Sequence, residues 1–133
     1  MVDLKKEGKT KFIGVSTYDV LLLEKCMKIE KVQSLQSPYS MLKRDYEEST
    51  LPYCLKNNIG VVAYSPMQAD LLTGKFYFSK LANDDWRRKS FSFQEQFLSK
   101  ALALVEKLRH IPKKSGRTVV KLKGKLISAL PTR

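Results

Sequence analysis

A short apolar strand followed by aromatic and polar residues marks the stretch most typical of a functional site. Val61, Val62 and Ala63 predict a short run of buried strand, which ends in Tyr64-Ser65-Pro66 where the strand gives way to a loop. An aromatic ring and a hydroxyl therefore lie at the carboxyl end of a strand, where parallel sheets commonly hold their ligands. We interpret Gly60–Lys75 as the centre of the candidate site.

Polar side chains also mark the ends of two earlier predicted strands. Ser16 and Thr17 follow the first strand, and Gln36 and Ser37 end the second. If the strands are parallel, these residues share one rim with Tyr64. Each also has a purely structural interpretation, as a helix cap, as a partner for backbone groups or as a packed aromatic ring.

The elements that would position these residues form three successive strand–helix units. The predicted strands are Lys11–Ser16, Val32–Ser37 and Ile59–Tyr64. Thr17 is the predicted N-cap of the first helix, with Asp19 in its first turn. The apolar stripe of that helix consists of Leu22, Cys26 and Ile29, widened by Leu23 and Met27.

The later helices are interrupted by proline and by a long loop. The second is predicted over Asp45–Lys56, either kinked at Pro52 or beginning near it, because an interior proline costs about 3 kcal/mol. After a loop over Ser65–Phe91, a capping box at Ser92–Glu95 begins a helix that ends near Arg109. Its predicted apolar face consists of Phe97, Ala101, Leu104, Val105 and Leu108. A break at Ile111–Gly116 and a weaker helix over Val119–Leu130 complete the chain.

Helices between successive strands predict a parallel sheet. Three strands alone leave open edges and one bare face, so two architectures are compatible with the pattern. One is a small doubly wound sheet, and the other is part of an eight-unit barrel, which usually needs about 250 residues. The 133 residues of this chain do not decide between them.

Composition excludes several classes of protein. An apolar content of 43% fits a soluble globular domain, and no apolar run is long enough to span a bilayer, so we expect a cytoplasmic protein. Cys26 and Cys54 lack zinc-ligand spacing and are predicted to be buried free thiols. The net charge of +12 would attract nucleic acid, but no aromatic ladder accompanies the lysines, and we interpret them as solvated surface.

A series of motifs in order resembles the C-terminal half of an aldo-keto reductase, of the bacterial and potassium-channel-beta-like branches. The resemblance runs from about Gly8 to Thr118. It is carried by Ile13–Ser16, Gln36–Arg44, Leu51–Cys54 and Gly60–Phe76, and by the loop run Asp84–Arg87. It implies an α/β fold in which parallel β/α units form strands six to eight of a TIM-type (β/α)8 barrel. It also implies NADP(H) as the cofactor, bound without a glycine-rich turn.

The resemblance implies a role for residues along the cofactor. Ser16 and Gln36 match positions that hydrogen-bond the nicotinamide carboxamide, and Tyr64 matches the aromatic residue that stacks on the nicotinamide ring. The loop along the pyrophosphate is matched by Ser65, Pro66, Met67, Leu71 and Lys75. Lys75 would supply positive charge to the phosphates.

Departures from the family pattern imply a chain that is inactive alone. The family's catalytic Asp, Tyr, Lys and His match positions before Met1, so we predict no catalytic residue here, and we interpret His110 as a helix-end residue. Thr17 stands where the family usually has Asn. Asp70 stands where it usually has Gly, and its carboxylate would repel a pyrophosphate. The segment after Thr118 is lysine-rich where the family continues with an apolar helix.

We therefore expect residues 1–133 to form a single partial domain with a basic, irregular tail over residues 111–133. The expected function is that of an NADP(H)-dependent oxidoreductase fragment that retains part of the cofactor site. One alternative is a half-barrel that associates with an N-terminal half or with a second copy of itself, and would act on a small carbonyl substrate only when completed. The other is a basic nucleic-acid-binding protein. We predict no metal site.

Overall fold

A computed structural model describes the backbone of residues 1–115 and the side chains of residues 1–109. Its helices and strands are α1 (Val2–Lys6), β1 (Gly14–Ser16), α2 (Val20–Met27), β2 (Ser34–Pro38), α3 (Thr50–Lys56), β3 (Gly60–Tyr64) and α4 (Glu95–Ser115). The predicted helix over Val119–Leu130 and the side chain of His110 lie outside the described residues.

Two compact units divide the described residues. The first comprises residues 1–66 and contains all three strands, and the second comprises residues 67–115 and contains α4. Whether the whole chain forms a single partial domain stays a prediction.

The sheet of the first unit is parallel and follows chain order, β1-β2-β3. Register places Val15 beside Leu35 and Leu35 beside Val61 on the face that the helices cover. Gly14 permits the close pairing of β1 with β2, because a Cβ atom there would lie 2.3 Å from Ser34 Oγ. The three predicted strands are confirmed, with boundaries that differ by up to three residues.

The core of the first unit lies between the sheet and its helices. Its fully buried members are Leu23, Val32, Leu35, Cys54 and Ile59. Burial of one such leucine contributes about 1.5–3 kcal/mol. Both cysteines are free, but only Cys54 is buried as predicted, and burial raises the pKa of its thiol. The prediction that Cys26 is buried is wrong, because that side chain is half-buried at the edge of the core.

The predicted stripe of α2 is wrong in part. Leu23 is its buried residue, with Cys26 and Met27 packed beside it, whereas Leu22 is exposed and Ile29 is 76% exposed. The helix ends at Met27, so the period does not continue to Ile29.

The predicted N-cap of α2 is also wrong. Asp19 caps the helix, and its carboxylate accepts a hydrogen bond of 2.9 Å from the Leu22 N–H. Thr17 instead has a φ of +62°, outside the extended region that an N-cap adopts.

Proline determines where α3 begins. The helix starts at Thr50, which places Pro52 in the first turn, where its missing N–H removes no intrahelical hydrogen bond. A short 3₁₀ helix, Asp45–Glu47, occupies the start of the predicted span. Asn57 ends α3 and Asn58 follows with a φ of +53°, so the predicted stop at this pair is confirmed.

The second unit consists of short 3₁₀ helices packed against α4. The 3₁₀ segments are Leu71–Thr73, Phe78–Lys80, Trp86–Lys89 and Phe91–Phe93. The core joins Leu71, Phe76 and Phe93 to the buried side of α4.

Three of the predicted apolar positions of α4 are confirmed. Ala101, Val105 and Leu108 are buried, but Leu98 is buried in place of Phe97, which is exposed. The capping box is wrong, because Ser92 lies within a 3₁₀ helix and α4 begins at Glu95. The helix also continues to Ser115, past the break predicted after His110.

Within residues 1–115, no helix has both the length and the apolar character needed to cross a membrane.

Candidate functional site

The exposed face of the sheet carries a row of side chains from all three strands. Ser16 lies beside Gln36, and Gln36 lies beside Val62, because the strands pair in register. All three side chains are exposed, and Val62 is 54% exposed although it is apolar. Alternation along each strand directs these residues away from the opposite row, in which Leu35 is buried and Val15 and Val61 are half-buried. The predicted neighbours Ser16 and Gln36 are thus brought together.

Tyr64 ends β3 and is held at two points. Its carbonyl oxygen accepts a hydrogen bond of 3.2 Å from the Tyr39 N–H. Its hydroxyl lies 3.3 Å from the Thr17 hydroxyl. The aromatic ring therefore belongs to the same rim as the ends of β1 and β2.

Thr17 connects the three strand ends. Its N–H donates to the Gln36 carbonyl at 2.8 Å, and its hydroxyl lies 3.3 Å from the hydroxyls of both Ser16 and Tyr64. A β-branched residue with positive φ is a conformational outlier. Sequence reasoning placed Thr17 at this rim but assigned it only a capping role.

The segment predicted to follow the pyrophosphate crosses from the first unit into the second. Ser65 is exposed, with a φ of +51°, and Pro66 and Met67 are half-buried. Gln68, Ala69 and Asp70 then form one left-handed turn, with φ values of +49°, +47° and +76°. Each such residue other than glycine costs about 1–2 kcal/mol of backbone strain.

The rest of this segment is anchored in the second unit. Leu71 is 1% exposed, and its N–H donates to the Gln68 carbonyl at 3.2 Å. The Thr73 hydroxyl accepts from the Lys75 N–H at 3.1 Å. The Lys75 side chain is exposed and has no ion-pair partner within residues 1–109. Within the segment of residues 65–75, whose side chains the structure describes, Lys75 is the one cation that could attract an anion.

Arg87 pairs with the carboxylate of Asp70 and with that of Asp85. Its guanidinium binds Asp85 through Nε at 3.0 Å and Nη2 at 2.7 Å, and Asp70 through Nη1 at 3.0 Å. The hydrogen bond from Arg87 lowers the pKa of the Asp85 carboxyl to about 2, and the same pairing raises the pKa of Arg87. The sequence showed the charges of this loop but not their pairing.

A second charged cluster follows β2. The Tyr39 hydroxyl donates to Glu47, whose carboxylate also accepts two hydrogen bonds from Arg44, at 2.8 and 2.7 Å. Arg44 and then Tyr39 lower the pKa of Glu47 to about 2, and burial beside this carboxylate raises the pKa of Tyr39. Sequence reasoning missed this cluster, because its members are separated by a turn.

Among the described side chains, no group of His, Cys, Asp and Glu residues could hold a metal ion. The donors that the structure brings together are an amide, hydroxyls and a phenol ring, at the ends of three parallel strands. Such a set can hydrogen-bond a neutral polar group and can offer a ring for stacking.

Comparison with known proteins identifies the family. Residues 1–124 match the model of the aldo/keto reductase family. The chain belongs to this family. It is 31% identical over 124 residues to the aldo-keto reductase YhdN of Bacillus subtilis, an alignment that covers 92% of this chain and 38% of that protein.

A solved structure supports the same family and decides the architecture. The glycerol dehydrogenase AKR11B4 from Gluconobacter oxydans superposes with a TM-score of 0.86 and 27% identity, covering 94% of this chain and 38% of that one. The aldo-keto reductase chain is therefore part of a TIM-type β/α barrel and not a doubly wound sheet. It spans about 38% of the length of the relatives that it matches.

Proposed function

We propose that this chain is part of an NADP(H)-dependent aldo-keto reductase and supplies the surface that holds the nicotinamide end of the cofactor. The observation that carries the proposal is the pairing of Ser16 with Gln36 on the exposed face of the sheet. Tyr64 lies at the same rim and is linked to Thr17. Aldo-keto reductases generally use NADP(H), which supplies a hydride to a carbonyl carbon.

The donor set fits a nicotinamide carboxamide. A carboxamide needs both a donor and an acceptor, and the Gln36 amide offers both while the Ser16 hydroxyl offers either. The Tyr64 ring provides a face on which a flat heterocycle can stack. The family resemblance implies pyrophosphate contacts for Ser65, Pro66, Met67 and Leu71, with Lys75 as the attracting charge.

The charge at position 70 opposes an anionic ligand less than an unpaired carboxylate would. Arg87 binds Asp70 but also pairs with Asp85, so it offsets the charge of Asp70 only in part. Binding of phosphate groups then depends on Lys75, whose ammonium has no ion-pair partner within residues 1–109. We expect NADPH affinity to be weak and to fall as salt rises.

We expect no carbonyl reduction by this chain alone. The family resemblance implies no counterpart of the catalytic Asp, Tyr, Lys and His among these 133 residues. A small carbonyl compound would be a substrate only when the rest of the barrel is present. We expect this reductase fragment to be cytoplasmic. Of the candidate functions, nucleic-acid binding is the one that the residues support least.

The test is a fluorescence titration of this chain with NADPH. Gln36→Ala should weaken binding at least fivefold, because it removes both hydrogen bonds to the carboxamide. The matched control is Gln96→Ala, which makes the same change at an exposed position on α4 and should leave the affinity unchanged. Equal affinity of Gln36→Ala and wild type would refute the site. Turnover of 4-nitrobenzaldehyde by wild type would refute the predicted inactivity.

The exposed face of the sheet favours a second function that is compatible with the first. In this function the chain associates with another polypeptide and so completes a barrel. Val62 and Phe12 are large apolar residues, 54% and 71% exposed, and within residues 1–115 β1 and β3 each pair along one edge only. Such edges and apolar surface favour pairing with an N-terminal half or a second copy. Light scattering after size exclusion should show oligomers that Val62→Lys disperses. A monomer at all concentrations would contradict association with a second copy.

A further inference from the structure

Three hydroxyl groups form a chain across the rim of the sheet. The Thr17 hydroxyl lies 3.3 Å from Ser16 Oγ and 3.3 Å from the phenol oxygen of Tyr64. Ser16 and Tyr64 end β1 and β3, which are not neighbours, because β2 lies between them. Neighbouring strands are about 4.8 Å apart, so Thr17 crosses the end of β2 to reach Tyr64.

The backbone of Thr17 is held in the conformation that makes this crossing. Its N–H donates to the Gln36 carbonyl at 2.8 Å, which ties it to β2. Its φ of +62° is one that β-branched residues rarely adopt. Strained backbone of this kind persists where the surroundings determine it, and it is concentrated at functional sites. The hydrogen bond to Gln36 and the positive φ therefore hold the Thr17 side chain at a fixed position on the rim.

We infer that Thr17 is a positioning residue that fixes the ring of Tyr64 through the bond between their hydroxyls. The inference rests on the proposed function, in which that ring stacks on the nicotinamide. The Tyr64 carbonyl is already held by the Tyr39 N–H. A second anchor at the phenol oxygen restricts the ring at its far end, so less side-chain freedom is lost when a ligand stacks.

The ligand experiment compares Thr17→Val, Tyr64→Phe and the double variant. Thr17→Val keeps the β-branched shape and removes only the hydroxyl, and Tyr64→Phe keeps the ring and removes its anchor. Each should weaken NADPH binding about threefold to tenfold, because each removes the bond between Thr17 and Tyr64. Thr17→Val also removes the contact with Ser16, so the double variant should bind like Thr17→Val and not more weakly. Thr17→Ser, which keeps the hydroxyl, should bind like wild type.

Ligand fragments separate positioning of the ring from general damage. Reduced nicotinamide mononucleotide should show the same loss as NADPH in Thr17→Val. Adenosine 2′,5′-bisphosphate lacks the nicotinamide and should bind wild type and variant equally. A loss shared by both fragments, or additive losses in the double variant, would overturn the inference.

Urea unfolding of the same four proteins gives a readout that needs no cofactor. If the hydroxyls are bonded, the double-mutant cycle should show a coupling of about threefold in the unfolding equilibrium constant. Coupling without NADPH binding by wild type would support the Thr17–Tyr64 link and overturn the proposed function. Absence of coupling would overturn the link, whatever the affinity of wild type.

Discussion

The two compact units of this chain hold their candidate site residues by different means. In residues 1–66, strand register sets the row Ser16, Gln36 and Val62, and burial of the opposite face fixes that register. In residues 67–115, individual contacts set the positions, above all the bonds of Arg87 to Asp85 and Asp70. The arrangement in residues 1–66 depends on the alternation of buried and exposed residues along the strands. The arrangement in residues 67–115 depends on individual pairs of side chains.

The largest expected effect tests the role of burial in the first unit. Leu35→Ala should destabilise the protein by about 2–5 kcal/mol, because it leaves a cavity in the core beneath the sheet. Val62→Ala, on the neighbouring strand but on the exposed face, is the control and should change stability by less than about 0.5 kcal/mol. Urea unfolding measures both. Similar losses of stability from the two variants would show that the two faces of the sheet do not differ in burial in solution.

Crowding between residue 14 and the Ser34 side chain gives the next effect. Gly14→Ala should cost about 0.5–1.5 kcal/mol, since the added Cβ would lie 2.3 Å from Ser34 Oγ and would force that hydroxyl out of its rotamer. Gly60→Ala is its matched control in the same register row, where the nearest atom is 3.5 Å away, and it should be tolerated.

The cause of the stability loss in Gly14→Ala is tested by thermal or urea denaturation of the same variant combined with Ser34→Ala. Ser34→Ala removes the clashing oxygen and should restore part of the stability that Gly14→Ala loses. A full loss in that background would place the cause in the backbone carbonyl of Ser34, which a Cβ at residue 14 would approach to 3.3 Å.

This contrast explains how much of the molecule the sequence could predict. The three strands were predicted, because continuous apolar runs such as Val61–Ala63 identify a strand without any partner. The rim of Ser16, Gln36 and Tyr64 followed from parallel pairing. The roles of these residues came from the family resemblance and not from the pattern.

Features that depend on one specific contact were not predictable in the same way. Asp19, not Thr17, caps α2, and it is the hydrogen bond from the Leu22 N–H and the positive φ of Thr17 that distinguish the two. Leu98 replaces Phe97 in the core, where it packs with Phe93 and Ala101, and the exposed ring of Phe97 lies 4.3 Å from that of Phe91. The bonds of Arg87 join residues up to 17 positions apart in a loop without periodicity.

The dependence of stability on acid pH can be compared for one carboxylate from each unit. Glu47 and Asp85 both have a pKa of about 2 in the folded protein, below their ordinary values of 4.5 and 3.8. A depressed pKa means that the unfolded chain binds the proton more tightly. The stabilisation is therefore fully present above pH 4.5 for Glu47 and above pH 3.8 for Asp85, and it is lost as the pH falls towards 2.

Carboxyl chemical shifts measured against pH should give both pKa values. Arg87→Lys should raise the pKa of Asp85 and leave that of Glu47 unchanged, because lysine cannot reproduce the two-point contact. Arg44→Lys is the reciprocal control and should raise the pKa of Glu47 alone. Carboxyl groups that titrate at their ordinary values in wild type would contradict both clusters.

The smallest effect concerns the left-handed turn before Leu71. Asp70 has a φ of +76°, which glycine adopts freely, so Asp70→Gly removes backbone strain and loses the ion pair with Arg87. That pair is worth little to folding, because the Asp70 side chain is 65% exposed. Asp70→Ala loses the same pair but keeps a Cβ atom, and it should be about 1 kcal/mol less stable than Asp70→Gly. Equal stability of the two variants in urea would show that residue 70 is not left-handed in solution, and the contact of its carboxylate with Arg87 would then lose its geometric basis.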